Sequence, residues 1–110
     1  MQTILKKRKY TVIKPKNSIT AANAYLFEQQ LITALRRNRH SILLVDLEKV
    51  EFLDSAGLMA LISACKLAQN LGTRFSLCSI SSCLRIIIEL TQLDRVLEIF
   101  ENQVSFRQTL

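Results

Sequence analysis

The spacing of apolar residues along the chain predicts three α-helices before its C-terminal segment. The first covers residues 20–37. The second covers residues 55–71 and ends at Gly72, which can adopt the left-handed conformation of a C-terminal cap. The third begins near residue 81 or 82, and residues 103–110 are expected to form a terminal helix. The apolar stripes predicted to face the core are Ala24, Phe27, Leu31, Ile32 and Leu35 in the first helix, and Leu58, Leu61, Ile62, Cys65 and Ala68 in the second.

Between the helices lie short runs of strand-forming residues. Residues 41–47 are almost continuously apolar, which is typical of a central strand covered on both faces. Residues 74–79 and 96–100 predict two further strands, and residues 1–14 favour either one bent strand or a hairpin that turns at its basic run. Because strands alternate with helices, we predict one α/β domain over residues 1–110, with a mixed, mostly parallel sheet of about four or five strands and about four helices.

Positive charge is concentrated in the first part of the chain. The sequence has 15 Lys and Arg against 9 Asp and Glu, a net charge of +6. Residues 1–40 contain nine bases and one acid (+8), whereas residues 41–110 contain six bases and eight acids (−2). This asymmetry favours an anionic partner: nucleic acid, a membrane surface or an acidic protein. A nucleic-acid-binding module in residues 1–40 is therefore our second hypothesis. However, two of its three aromatic residues, Tyr25 and Phe27, suit a helix face or core better than base stacking.

Other classes of protein are disfavoured by what the sequence lacks. The longest uncharged stretches have 11 residues, against the roughly 20 that a bilayer span requires, so we expect no transmembrane helix. A charged residue at Lys6 leaves no apolar signal-peptide region. The odd cysteine count, with no Cys-x-x-Cys, fits small buried thiols in a reducing compartment, so we expect a cytoplasmic protein.

The residues that most enzymes need are sparse. His40 is the only histidine, which leaves no Ser/His/Asp arrangement and no paired Cys/His spacing for a metal site. Both glycines are isolated, so there is no glycine-rich phosphate loop. We therefore expect neither an enzyme nor a cofactor, and a small enzyme is only the third hypothesis.

One segment places polar residues where a strand leads into a helix. Residues 50–59 are Val-Glu-Phe-Leu-Asp-Ser-Ala-Gly-Leu-Met, so Ser55 should lie at a helix N-terminus, beyond the carboxyl end of a strand. The free backbone N–H groups and the positive end of the helix dipole favour an anion there. The simpler interpretation is that Asp54 or Ser55 only caps the helix. The residues alone leave both interpretations open.

This motif and its surroundings resemble a known family. The runs at residues 42–47, 50–58 and 75–79, together with Gly72, are similar to those of STAS domains, and in particular of bacterial anti-sigma factor antagonists. The resemblance extends over nearly the whole chain and includes the Ala-Ala-Asn-Ala stretch at residues 21–24. It implies a STAS-type single domain.

The resemblance also implies regulation by partner switching. In that scheme the unphosphorylated antagonist binds an anti-sigma protein that is also a serine kinase, and so frees a sigma factor. The kinase phosphorylates the serine after the motif aspartate, which ends binding, and a metal-dependent serine phosphatase reverses the modification. Carried onto this chain, Ser55 is the phosphoacceptor, Asp54 its motif neighbour and Gly57 the motif glycine. A phosphate would add about −1.5 to −2 charges beside Asp54, so a docked partner would have to desolvate a dianion.

The partner is expected to bind around Ser55. Ala56, Met59 and Ser63 are three and four residues apart, so they share a face of the second helix that begins beside Ser55. An exposed methionine suits an adaptable protein-binding surface. The alternative is that Met59 packs against a neighbouring helix or loop.

The loop before the first helix is the other expected part of the partner surface. The resemblance implies that this loop, with Ser18 and Thr20, flanks the phosphorylation site. Thr20 stands where members of the family often have an aspartate, so contacts with a kinase could differ here. The basic N-terminal segment is also unusual for the family.

Overall fold

The computed structural model describes residues 9–37 and 42–110 and shows strands and helices in alternation. The strands are β1 (Tyr10–Ile13), β2 (Ile42–Asp46), β3 (Arg74–Cys78) and β4 (Glu98–Phe100). The helices are α1 (Ala24–Arg37), α2 (Ser55–Leu71), α3 (Ser82–Leu90) and α4 (Gln103–Arg107). The predicted α/β order is confirmed, although the first helix begins at Ala24 rather than at Thr20.

The four strands form one sheet in the order β1-β2-β3-β4, and all three described pairings are parallel. Because the order in space follows the order in the chain, right-handed crossovers place α1, α2 and α3 on the same face of the sheet. The additional strand that residues 1–8 could supply to the predicted mixed sheet, and the predicted strand residue Ser41, lie outside the described residues.

The central strand β2 is buried on both faces, as its apolar sequence predicts. Leu43 and Val45 point to the main core beneath α1, α2 and α3, whereas Ile42 and Leu44 belong to a second apolar cluster on the opposite face. This division follows from the alternation of side chains along a strand. Two apolar layers therefore position the carboxyl ends of the strands.

The second cluster is centred on Phe106 of α4, which is fully buried. Its ring meets those of Tyr10 and Phe100 edge-on, with centroids 5.1 and 5.5 Å away. The guanidinium carbon of Arg74 lies 5.1 Å from the centroid of the Phe106 ring. A further link is a 2.7 Å hydrogen bond from the side-chain amide of Gln103 to the buried carboxylate of Asp46. The short α4 thus covers the sheet face that α1, α2 and α3 leave open.

The core-facing side of α2 differs from the predicted stripe. Its buried residues are Gly57, Ala60, Leu61, Ala64, Cys65 and Ala68, whereas Leu58 and Ile62 are only half-buried. Apart from Leu61, the buried side of α2 consists of small residues, and at Gly57 this allows the backbone before α1 to approach closely. Gly72 ends α2 in the predicted left-handed conformation, at φ 68°.

The cysteines only partly follow the expectation of buried thiols. Cys65 and Cys78 are buried, and burial raises the pKa of both thiols. Cys83, near the start of α3, is exposed. All three are free thiols.

Candidate functional site

Two loops meet at the carboxyl end of the sheet, one before α1 and one before α2. Ile19 pairs with Leu53 in an isolated parallel bridge. The backbone N–H of Ile19 donates to the Phe52 carbonyl at 3.2 Å, and the N–H of Asp54 donates to the Ile19 carbonyl at 3.1 Å. These bonds fix the β2–α2 connection against the segment that leads into α1.

Asp54 is the N-cap of α2 and also joins α2 to the start of α1. Its carboxylate accepts hydrogen bonds from the backbone N–H of Gly57 at 3.0 Å and from the N–H of Ala21 at 2.9 Å. These bonds, the one from Gly57 first, hold the pKa of the Asp54 carboxyl below its ordinary value. Capping therefore falls to Asp54, and Ser55 is left as the first residue of the helix.

Gly57 is buried where α2 approaches the backbone before α1. A Cβ at this position would lie 2.6 Å from the carbonyl oxygen of Ile19 and 3.0 Å from its Cβ. Real contacts of that kind do not reach 2.6 Å, so any side chain here would push the two loops apart. Gly57 therefore allows the close approach of the two loops in which the Asp54 carboxylate can bind the N–H groups of both Gly57 and Ala21.

Ser55 is exposed on the first turn of α2. Within residues 9–37 and 42–110 its hydroxyl has no hydrogen-bond partner. The adjacent helix terminus supplies a positive partial charge. The hydroxyl is therefore free to accept a modifying group, and adding one breaks no described hydrogen bond.

Ser18 and Thr20 lie in the same loop cluster but take structural roles. The Ser18 hydroxyl accepts from the Phe52 N–H at 3.3 Å. The Thr20 hydroxyl accepts from the Ala22 N–H at 3.3 Å. Asn23 completes the loop, because its side chain accepts from the Thr20 N–H at 2.8 Å and donates to the Ser18 carbonyl at 3.0 Å.

The hydrogen bonds that Asn23 and Ser81 make to neighbouring loops were not predicted from the sequence. The Ser81 hydroxyl donates to the Glu51 carbonyl at 3.0 Å and accepts from the Leu84 N–H at 3.1 Å, so it caps α3 and ties α3 to the loop before Ser55. Both are polar residues next to a predicted helix start, which is the signal that could have indicated them.

Apolar side chains flank Ser55 on the surface. Met59, one turn along α2, is 57% exposed, and Phe52, in the preceding loop, is 43% exposed. Ala56 and Ser63 are half-buried. Because Met59 is this exposed, it does not fit the alternative in which its side chain packs against a neighbouring helix or loop. Phe52 is a second exposed apolar residue close to Ser55 along the chain, and the helical pattern did not indicate it.

Neither a metal cluster nor a membrane span is evident in the part of the chain that the structure describes. No group of three or more His, Cys, Asp and Glu residues there is arranged to hold a metal ion. No helix among those residues is long and apolar enough to cross a bilayer. His40 lies outside the described residues.

Comparison with known proteins assigns the chain to a family. Residues 3–105 match the STAS domain family model, so the chain belongs to the STAS domain family. The predicted family and the predicted α/β fold class are confirmed.

Three similar proteins illustrate the relationship. A homolog of TM1081 from Thermotoga neapolitana is 24% identical over 90 residues, which are 82% of this chain and 80% of the relative. The anti-sigma F factor antagonist of Paenibacillus polymyxa is 21% identical over 80 residues, 73% of this chain and 68% of that protein. The structure of the anti-sigma factor antagonist SpoIIAA in its unphosphorylated form has a TM-score of 0.75 at 13% identity, and the match covers 97% of this chain and 92% of that one.

Proposed function

We propose that this protein is a cytoplasmic, single-domain anti-sigma factor antagonist that acts by partner switching. Its unphosphorylated form binds an anti-sigma protein with serine kinase activity. Phosphorylation of Ser55 releases that partner, and a metal-dependent serine phosphatase restores binding. The observation that carries the proposal is the exposed, unbonded hydroxyl of Ser55 at the N-terminus of α2. Support also comes from the relative named as an anti-sigma F factor antagonist and from a similar fold described in an unphosphorylated form.

The hydrogen bonds of Asp54 explain why a phosphate would act on the surface rather than on the fold. The Asp54 carboxylate already accepts the Gly57 N–H of the first turn. A phosphate on Ser55 cannot take that donor without displacing a carboxylate of the same charge sign. Because Ser55 is exposed, the added charge of about −1.5 to −2 would lie at the surface that a docked protein covers.

The exposed apolar residues near Ser55 explain why a phosphate there would weaken binding of a partner. Ser55 lies between Phe52 and Met59 along the chain, so a partner that covers both exposed side chains would also exclude water from Ser55. A phosphate covered in this way would lose hydration, and the positive helix end would offset only part of that cost, so binding would be unfavourable. Binding would thus depend on the state of Ser55 while the domain stays folded.

The described residues give little support to the hypothesis that residues 1–40 bind nucleic acid. Phe27 is buried, and Tyr10 packs against Phe106, which leaves Tyr25, 70% exposed, as an aromatic surface for stacking. Stacking platforms for single strands use several aromatic residues in succession. Steep salt dependence of binding to random oligonucleotides would favour this alternative instead.

A pull-down from the native cell tests the proposal. Ser82 provides a matched control, because it too is the exposed first residue of a helix. We expect wild type, Ser55→Ala and Ser82→Asp to retain one serine kinase that Ser55→Asp loses. Recovery of that kinase by Ser55→Asp at the wild-type level would contradict partner switching at this serine.

A second prediction concerns the outer face of α2. Met59→Lys should weaken binding of the kinase at least tenfold, because it replaces an exposed apolar side chain one turn from Ser55 with a charged one. Its thermal midpoint should stay within a few degrees of wild type, since Met59 is exposed. Binding is measured by calorimetric titration and stability by thermal denaturation.

Asn70→Lys is the control for this prediction. It adds the same charge at an exposed position near the other end of α2, about 16 Å further along the helix axis. Normal binding by Met59→Lys, or equal weakening by both variants, would show that this face of α2 is not the interface.

A further inference from the structure

A groove with a volume of 910 Å³ runs between α1 and the segment formed by β1 and the residues after it. Its apolar lining includes Ile13, Ile19 and Phe27, together with the exposed side chain of Leu26. Ile19 and Phe27 are buried and form the base of the groove, Ile13 is half-buried, and Leu26 is 66% exposed at its side. Asp54, Ser55 and Gly57 do not themselves line the groove, although Ile19, which contacts this motif, does.

Basic residues line the groove, and no acidic residue does so in the part of the chain that the structure describes. The bases are Lys14, Lys16 and Arg37. Lys14 is engaged, because its ammonium group lies 3.0 Å from the Glu48 carboxylate. Lys16 and Arg37 are exposed, and neither has an ion-pair partner among residues 9–37 and 42–110. Two free positive charges thus border an apolar floor.

The charge of the chain around the groove has the same sign. Every described residue that lines the groove falls within residues 11–37, and the described segment 9–37 contains five bases and one acid. The groove is therefore in a positive field that would attract an acidic partner and speed its association.

We propose that this groove binds an acidic segment of a partner protein that also carries apolar side chains. Apolar side chains of the partner would cover the apolar floor of the groove, and carboxylates of the partner would pair with Lys16 and Arg37. Nucleic acid offers little apolar surface for such a floor, and an open groove cannot surround a lipid chain as ligand pockets usually do. The groove also adjoins the proposed switch, because Ile19 both lines it and accepts the hydrogen bond of the Asp54 N–H. The inference rests on the proposed function only in taking the partner to be a protein.

The test is fluorescence anisotropy with the full chain and a labelled peptide of alternating Glu and Leu. One double variant, Lys16→Glu with Arg37→Glu, changes the free bases of the groove. The control, Lys49→Glu with Arg107→Glu, changes exposed bases that do not line it. Each replaces two positive charges by two negative ones, so both lower the net charge from +6 to +2. All four residues are exposed, so both proteins are expected to fold.

We expect wild type and the control to bind the peptide, and the groove variant to bind it at least tenfold more weakly. Peptides with Gln in place of Glu, or with Ser in place of Leu, should also bind wild type at least tenfold more weakly. Equal loss in both double variants, or equal binding by all three proteins, would overturn the proposal. So would tighter, groove-dependent binding of an oligothymidine or of phosphatidylglycerol vesicles. Because Ser55 is unchanged throughout, failure here would leave kinase release by Ser55→Asp intact and would be distinguishable from failure of the proposed function.

Discussion

Ser55→Asp is expected to weaken binding of the kinase partner by about 2–5 kcal/mol, roughly 30-fold to several thousand-fold. The reason is the unpaired charge that it places beside Asp54, whose carboxylate already holds the Gly57 N–H, and beneath a partner that covers Met59. Ser55→Ala should bind constitutively, because it removes the acceptor of the phosphate and breaks no described hydrogen bond. Calorimetric titration of both variants measures the difference.

Ser82→Asp separates this effect from that of any negative charge near a helix start. Its affinity for the kinase should stay within about threefold of the wild-type affinity, a difference in binding free energy of roughly 0.6 kcal/mol. Circular dichroism should show that all three variants fold. Equal affinities for Ser55→Asp and Ser55→Ala would remove the switch from this serine.

Phe106→Ala is expected to lower the free energy of unfolding by about 3–5 kcal/mol. The side chain is fully buried and meets the rings of Tyr10 and Phe100, so truncation leaves a cavity between α4 and the sheet. It also removes the ring over which Arg74 lies. Chemical denaturation monitored by circular dichroism gives the change.

Val104→Ala is the matched control on the same short helix. Val104 is exposed, so its truncation should change the free energy of unfolding by no more than about 0.5 kcal/mol. If Phe106→Ala were as mild as Val104→Ala, α4 would not be docked on the sheet as described.

The parts of the fold that sequence analysis predicted well are those whose cause is local. An apolar run marks β2 because both of its faces are covered, and this requires no knowledge of what covers them. Gly72 ends α2 because a left-handed residue is needed there and glycine adopts that conformation at little cost. Ser55 could be placed at a helix start from the order of strand, loop and helix alone.

The parts that sequence analysis missed depend on contacts between distant residues. Asp54 was one of two candidate caps, but its second bond reaches the Ala21 N–H, 33 residues earlier. The tie from Ser81 to the Glu51 carbonyl spans 30 residues. Such pairs become visible only when the parallel sheet brings the carboxyl ends of neighbouring strands together. The need for a glycine at position 57 has the same origin, because a Cβ there would lie 2.6 Å from the carbonyl oxygen of Ile19.

The central claim is that Ser55 is the regulated residue, and mapping the phosphate by mass spectrometry tests it most directly. The full chain is incubated with the serine kinase recovered from its native cell and with ATP, and the modified residue is identified from fragment ions. Ser55 should carry the phosphate, because its hydroxyl is exposed and unbonded within the described residues, whereas those of Ser18 and Ser81 are hydrogen-bonded. Ser82 is also exposed at a helix start, but it does not follow a motif aspartate as Ser55 follows Asp54. Phosphate on Ser18, Ser81 or Ser82 with Ser55 unmodified would contradict the account.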